Sequence, residues 1–206
     1  MPTTKTLREG SAGKRTAILS AARELFLTGG FDRTSVDAVA ARATVSKRTV
    51  YDNFGDKQTL LRAVVADIAD SLVGGIQRTL GATLATITRP AELEAAFIDF
   101  AMRIVTDMLG SADYVTLLKL VGDEGHLGET RFRDAPEDAV AARLAALGEA
   151  GLLTVPDPRL AADHLVALTF GVALNRLGTT QIAGDDRVRP LVVEGVRAFL
   201  RAYAKG

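Results

Sequence analysis

The sequence predicts an all-α protein: an N-terminal three-helix helix-turn-helix domain (residues 1–56) and a larger helical-bundle domain (57–206). Three observations predict it. Apolar residues recur every three or four positions along almost the whole chain, which is the helical period. Short Gly-, Pro- and Asp-rich stretches cut that pattern into helix-length pieces. No run alternates apolar and polar residues with the period of two that a strand needs. Of the 206 residues 48% are hydrophobic and only 5% aromatic, so the core must be aliphatic.

The first helix is expected from Ser11 to about Thr28, with Ile18, Leu19, Ala22, Leu25 and Phe26 on one face and Gly29-Gly30 as its end. Thr34 with Asp37 three residues on resembles a capping box and opens a short second helix ending near Arg42. After Thr44-Val45, Ser46 is a good N-cap for a third short helix running to about Asn53, with Val50 and Phe54 facing inward. A long helix follows from Lys57 to about Leu80. Helices are then expected over 91–109, 112–121, 136–149, 159–177 and 187–204, with a bend at 122–132 and a loop at 151–158. Asp157-Pro158 reads as an N-cap followed by the first helical residue.

Composition excludes several chemistries. There is no cysteine, hence no disulfide, thiolate metal site or cysteine nucleophile. The first fifteen residues lack the apolar core of a signal peptide, and no apolar stretch approaches about 18 residues, so a cytoplasmic protein away from membranes is expected. The two histidines, His126 and His164, stand apart from any second ligand at metal-binding spacing. Asp123-Glu124 beside His126 is accompanied by no nucleophile, phosphate-loop or metal motif. No catalytic residue, metal or cofactor is therefore expected. The net charge of zero conceals an asymmetry: residues 1–55 hold nine Lys/Arg and five Asp/Glu, a net +4, and the remainder carries −4. A basic head on an acidic body suits a polyanion-binding domain, although a solvated basic face gives the same count.

Two short helices joined by a tight turn, braced by a longer one, form the unit that places its second helix in the major groove of double-stranded DNA. Lys47, Arg48 and Thr49 lie in the first turn of that helix. The bases can donate to guanine O6 and N7, and the threonine can meet a thymine methyl. Tyr51 and Asn53 can donate to phosphates, as can the hydroxyls and free N–H groups of Thr34 and Ser35. Lys57 opposes the dipole of its own helix, which a nearby phosphate would relieve. Asp52 repels DNA unless it accepts from a cytosine N4 or pairs within the protein.

The run TSVDAVAARATVSKRTVYDNFGDKQTLL (34–61) resembles the DNA-binding domain of TetR-type transcriptional regulators, through Phe31, Thr34, Ala40, Ala43, Val45-Ser46-Lys47, Tyr51, Phe54 and Lys57. Resemblance covers about residues 12–61 and implies DNA contacts from this segment, Thr44 and Ser46 included. Thr44 stands where the family often has glycine, and Asp52-Asn53 where it often has histidine or an aromatic. LLKLVGDEGHLGETRF (117–132) and GLLTVPDPRLAADHLVAL (151–168) are similar to the C-terminal domain of AefR-like members. That implies a ligand-responsive domain whose last two long helices form a four-helix bundle with a second subunit.

Phe97, Phe100, Ile104, Met108, Tyr114, Leu118, Phe170 and Leu174 are candidates to line a pocket for a small-molecule effector. The stripes Leu165, Leu168, Val172 and Val192, Val196, Phe199 are candidates for a homodimer interface, because a wide stripe on both final helices suits a partner helix pair. The resulting expectation is a homodimeric repressor on a palindromic operator, released by an effector. The competing expectation is an all-α small-molecule-binding or catalytic protein without specific DNA binding.

Overall fold

A computed structural model describes residues 4–109, 111, 114–115, 129–178 and 186–205, with side chains from Ala12 onward except those of Met108, Leu109 and 129–135. The described residues divide into two compact units, one up to Asp70 and one from Ser71. The division falls inside the long helix α4, not at the 56/57 junction expected from the sequence.

In the first unit α1 spans Thr4–Gly29, seven residues longer at its start than the apolar pattern suggested. Ile18, Ala22 and Phe26 form its buried stripe. Gly30 ends it at φ +79°, donating its N–H to Phe26 O, a backbone conformation that costs glycine nothing. Helix α2 is Val36–Arg42 and α3 is Lys47–Phe54; α1 packs on α2, and α2 on α3. The N-cap of α2 is Ser35, whose hydroxyl accepts from Ala38 N–H. The expected Thr34–Asp37 capping box is therefore not formed: the N-cap is one residue later, and Ala38 at its third position has no polar side chain to complete a box. Helix α4, Lys57–Thr83, buries Leu60, Leu61, Val64, Val65 and Ile68 in this unit.

The second unit holds the rest of α4, then a 3-10 turn (Pro90–Glu92), α5 (Leu93–Arg103) and a π-helical turn (Ile104–Leu109). Helix α6 spans Glu129–Glu149 with Pro136 inside it, so it starts within the stretch expected to bend. A rod follows, made of α7 (Pro158–Val166), a π-helical turn (Ala167–Gly171) and α8 (Val172–Leu177). Asp157 caps α7 by accepting from Leu160 N–H, with Pro158 at its first position as expected. Helix α9 is Val188–Tyr203. The segment 112–121, the first part of 122–132 and His126 lie outside the described residues.

Helix α9 packs on α5 and on the π-turn of the rod. Phe199 sits 5.5 Å from the Phe97 ring and 4.7 Å from Tyr203, whose hydroxyl is 2.7 Å from His164 Nδ1. The chain end is pinned by Thr154 N–H donating to Tyr203 O at 2.7 Å and by an isolated β-bridge between Leu153 and Ala204.

Two expectations change here. The rod Pro158–Leu177 is, by length and composition, apolar enough to cross a membrane, contrary to the sequence reading, and only 33% of its most apolar window is buried within the chain. Leu165, Val192, Val196 and Phe199, expected at a dimer interface, are at most 1% exposed because they face the core of their own unit. Val172 is 37% exposed and Leu168 half-buried, so these two alone of the expected six reach the surface.

Candidate nucleic-acid interface

Helix α3 is eight residues long, and its register decides which side chains leave the protein. Val50 and Phe54, one turn apart, are buried and anchor it. The guanidinium of Arg15 lies 4.5 Å over the Phe54 ring and brings α1 against the same anchor. A helix held along one edge presents the opposite one. Lys47, Arg48, Tyr51 and Asp52 are exposed, with Tyr51 at 42%. Ser46 fixes the start by accepting from Thr49 N–H at 3.0 Å, and the two hydroxyls lie 2.8 Å apart. The Thr49 side chain therefore turns toward its own cap.

The turn that sets α3 against α2 passes through Thr44, at φ +56°. This left-handed conformation is the one glycine would take freely; for threonine it costs roughly 1–2 kcal/mol. Val45 N–H donates to Ala40 O at 3.0 Å and holds the turn in that shape. Thr44 is exposed beside the α3 start.

Charge on the exposed face is held loosely. Lys47 Nζ donates to Asp37 Oδ2 at 3.0 Å across the α2–α3 angle. That hydrogen bond, and then the charge of Asp37, raises the Lys47 pKa, so the ammonium stays protonated. Arg48 Nε is 3.8 Å from Asp52 Oδ2, and the arginine side chain is 89% exposed. Such exposed pairs contribute little and break readily. Both bases can leave their carboxylates for a stronger anion, and a guanidinium freed in this way can donate bidentately to a guanine edge.

Three expected contacts change. Thr34 is 7% exposed, and its hydroxyl bonds Gly30 O at 2.8 Å and Leu25 O at 3.2 Å. Its N–H donates to Phe31 O. Thr34 therefore ties the end of α1 to α2 and has no donor left for a phosphate. Asn53 is half-buried with its amide donating to Thr49 O at 2.8 Å, so it folds onto its own helix. Lys57 Nζ lies 4.2 Å over the Phe31 ring and donates to Asp32 O at 3.2 Å. The ring face and carbonyl supply the negative partners that a lysine at a helix start needs, without any phosphate. Ser35 remains exposed, its oxygen engaged as the α2 cap.

Among the pocket candidates, Phe97 and Phe100 are at most 1% exposed in the core of the second unit, where Phe170 is also buried and Tyr114 and Leu174 pack. Burial pushes the Tyr114 phenol up. Ile104 lines an open cleft against α4. Leu118 and the side chain of Met108 lie outside the described residues.

The profile of bacterial regulatory proteins of the tetR family matches residues 18–64, and that of the AefR-like transcriptional repressor C-terminal domain matches 95–205. The HTH-type transcriptional activator FasR of Mycolicibacterium smegmatis is 36% identical over 87 residues, 42% of this chain and 40% of FasR, so the chain spans less than half of that relative's length. A putative TetR-family regulator from Mesorhizobium loti superposes with a TM-score of 0.76 at 26% identity, over 95% of this chain and 98% of its own. The flavonoid-responsive regulator FrrA superposes at 0.69 with 27% identity, over 93% and 97%. Regulators of this kind bind DNA operators and typically dimerise and bind small molecules. The chain belongs to the TetR family of transcriptional regulators, with its DNA-binding helix-turn-helix in α2–α3 and an AefR-type C-terminal domain, and it is not an enzyme.

Proposed function

We propose that the protein is a homodimeric repressor that binds a palindromic operator through α3 and is released by a small-molecule effector, acting in the cytoplasm where the chromosome is. The observation that carries this reading is the exposed Lys47–Arg48–Tyr51 face on a helix anchored by Val50 and Phe54. Arg48 reads base edges, and Tyr51 and Lys47 clamp phosphates.

A single eight-residue helix makes few contacts, and two related by a dyad reach half-sites about one helical turn apart. The mostly unburied apolar rod supports pairing, with Leu160 at 49% and Val172 at 37% exposure. A second copy covering that face removes apolar area from water. The AefR-like repressor profile supports repression; FasR is named an activator, so the sign of regulation needs a direct test.

Release follows from linkage. An effector that prefers one dimer geometry shifts the population toward it, and swinging occupancy from 99% to 1% requires roughly 5.5 kcal/mol of differential binding. Helix α4 runs without a break from the first unit into the second and is the element through which the geometry can pass.

A reporter fused to the promoter upstream of the gene tests the reading. Deletion of the gene is expected to raise expression, and Arg48→Ala to raise it equally while leaving protein levels unchanged. Lower expression in the deletion would make the protein an activator, and an Arg48→Ala strain indistinguishable from wild type would remove the proposed base reader.

A further inference from the structure

In the second unit, α4 and the end of α5 enclose an open cleft of about 250 Å³. Its walls carry Leu72, Gly75 and Arg78 from α4 and Arg103, Ile104 and Asp107 from the α5 side. We propose that this cleft is the effector site and takes a carboxylate on an apolar body, with Arg78 as the counter-ion. The proposal deepens the effector reading above and rests on it.

Four observations converge on it. First, Arg78 has no hydrogen-bond or ion-pair partner among the described residues, whereas Arg103 Nε is held by Asp99 Oδ1 at 3.0 Å. Asp107 also faces the cleft, with its Oδ1 accepting from the Thr106 hydroxyl at 3.0 Å. With Asp99 and Asp107 both on the Arg103 side, Arg103 is already compensated, and Arg78 is the cation on the opposite wall that an anionic ligand group can pair with. Second, Gly74 and Gly75 stand in the middle of α4, although glycine is the poorest helix former after proline. A Cβ at Gly74 would lie 3.4 Å from Arg78 Nη1, and one at Gly75 would lie 3.8 Å from Nη2, with no other neighbour in reach. The guanidinium lies beside bare helix backbone, and at Gly75, which lines the cleft, a ligand can approach that backbone closely.

Third, the half-buried Leu72, with the edge of the buried Ile104, supplies apolar surface beside the charge in an otherwise polar lining, and the Ser71 hydroxyl adds an exposed donor. A planar guanidinium donates two parallel N–H bonds to a carboxylate, and that apolar surface then receives the rest of the molecule. The volume is slightly below the roughly 300 Å³ of the smallest drug-sized sites, so the ligand is small. Fourth, the α5 side of the cleft is formed where the helix widens into the π-turn Ile104–Leu109, a geometry found often at functional sites.

The test uses the full-length protein with octanoate and 1-octanol as probes, followed by thermal shift and calorimetric titration. Octanoate is expected to bind at least tenfold more tightly than octanol. Arg78→Gln should abolish that preference with its melting temperature unchanged, as the side chain is exposed. Gly75→Ala should weaken octanoate binding while raising the melting temperature of the unliganded protein, a combination that damage to the fold cannot give. Equal affinity for the two probes, no octanoate binding, or an Arg78→Gln protein that retains the preference would overturn the assignment. Operator binding by unliganded Arg78→Gln is measured alongside: intact DNA binding with no carboxylate preference in the wild type sinks the cleft alone, whereas no DNA binding by the wild type sinks the regulator reading on which it rests.

Discussion

Asp52 stands one helical turn beyond Arg48 on α3, with its Oδ2 3.8 Å from the arginine Nε. The pair places an acidic group in the middle of the exposed basic face of α3 that is proposed to meet DNA. In the unliganded protein the carboxylate holds Arg48 along the helix, and at this exposure the restraint is weak. In the proposed complex Asp52 would remain a negative charge beside phosphates. Asp52→Asn is therefore expected to raise affinity for random DNA more than for the operator and so to lower the specificity ratio, as read by competition binding. An unchanged ratio would show that Asp52 does not act at the interface.

Thr44 is the strained point of the helix-turn-helix. Thr44→Gly removes the left-handed penalty but adds backbone entropy to the unfolded chain, so a net stabilisation of up to about 1 kcal/mol is expected in urea unfolding. Thr44→Val keeps a β-branched side chain at φ +56° and should show no gain. A destabilised glycine variant would mean that the threonine side chain makes a contact that outweighs its strain.

Gly195 is where α9 crosses the rod. An added Cβ would collide with Leu168 O and approach Thr169 Cα to 3.2 Å. Both obstacles are backbone and cannot rotate away. Gly195→Ala should destabilise the protein by roughly 1–3 kcal/mol or more. Gly81→Ala, a helical position with nothing within 4 Å, should instead stabilise it by about 0.5–1 kcal/mol. Equal effects at the two sites would refute the close crossing.

Lys57 and Phe31 should be coupled. A double-mutant cycle with Lys57→Met and Phe31→Leu is expected to give about 0.5–1 kcal/mol of interaction. If Lys57 served only a phosphate, the cycle in the absence of DNA would give zero.

The start of α4 carries a pH signature. Asp56 Oδ1 accepts from Thr59 N–H at 2.6 Å, and this bond, strengthened by the helix terminus, lowers the carboxyl pKa from its ordinary 3.8. A depressed folded pKa contributes stability that is present above the unfolded value and is lost as pH falls through the folded one. Asp56→Asn retains a cap without the charge, so it should flatten the stability profile below about pH 4 and leave neutral stability nearly unchanged.

The DNA-binding half was legible in the sequence because its signals are local. A serine cap at Ser46, the apolar pair Val50 and Phe54, and the glycine after α1 each act within one helical turn. Residue roles that depend on long-range partners were not. Thr34 looked like a surface hydroxyl until the α1 carbonyls closed over it, and Lys57 looked phosphate-bound until Phe31 supplied a ring. Leu165 and the α9 stripe turned inward for a related reason, whereas Leu168 and Val172 reach the surface. Periodicity shows that Val192, Val196 and Phe199 share a face, and says nothing about whether their own core or a partner covers it. The charged cleft escaped because Arg78 and Arg103 are 25 residues apart and neither belongs to a motif.

The central claim is that α3 reads DNA sequence. Its most direct test is fluorescence anisotropy of the wild type and Arg48→Ala on the gene's own upstream DNA and on a shuffled copy, from 50 to 300 mM salt. The wild type should prefer its own upstream DNA, with affinity falling steeply and linearly in log salt, by about 0.9 log units per phosphate contact. Arg48→Ala should lose roughly 1–3 kcal/mol on that DNA and little on the shuffled one. Equal binding to both sequences, unchanged by Arg48→Ala, would contradict the account.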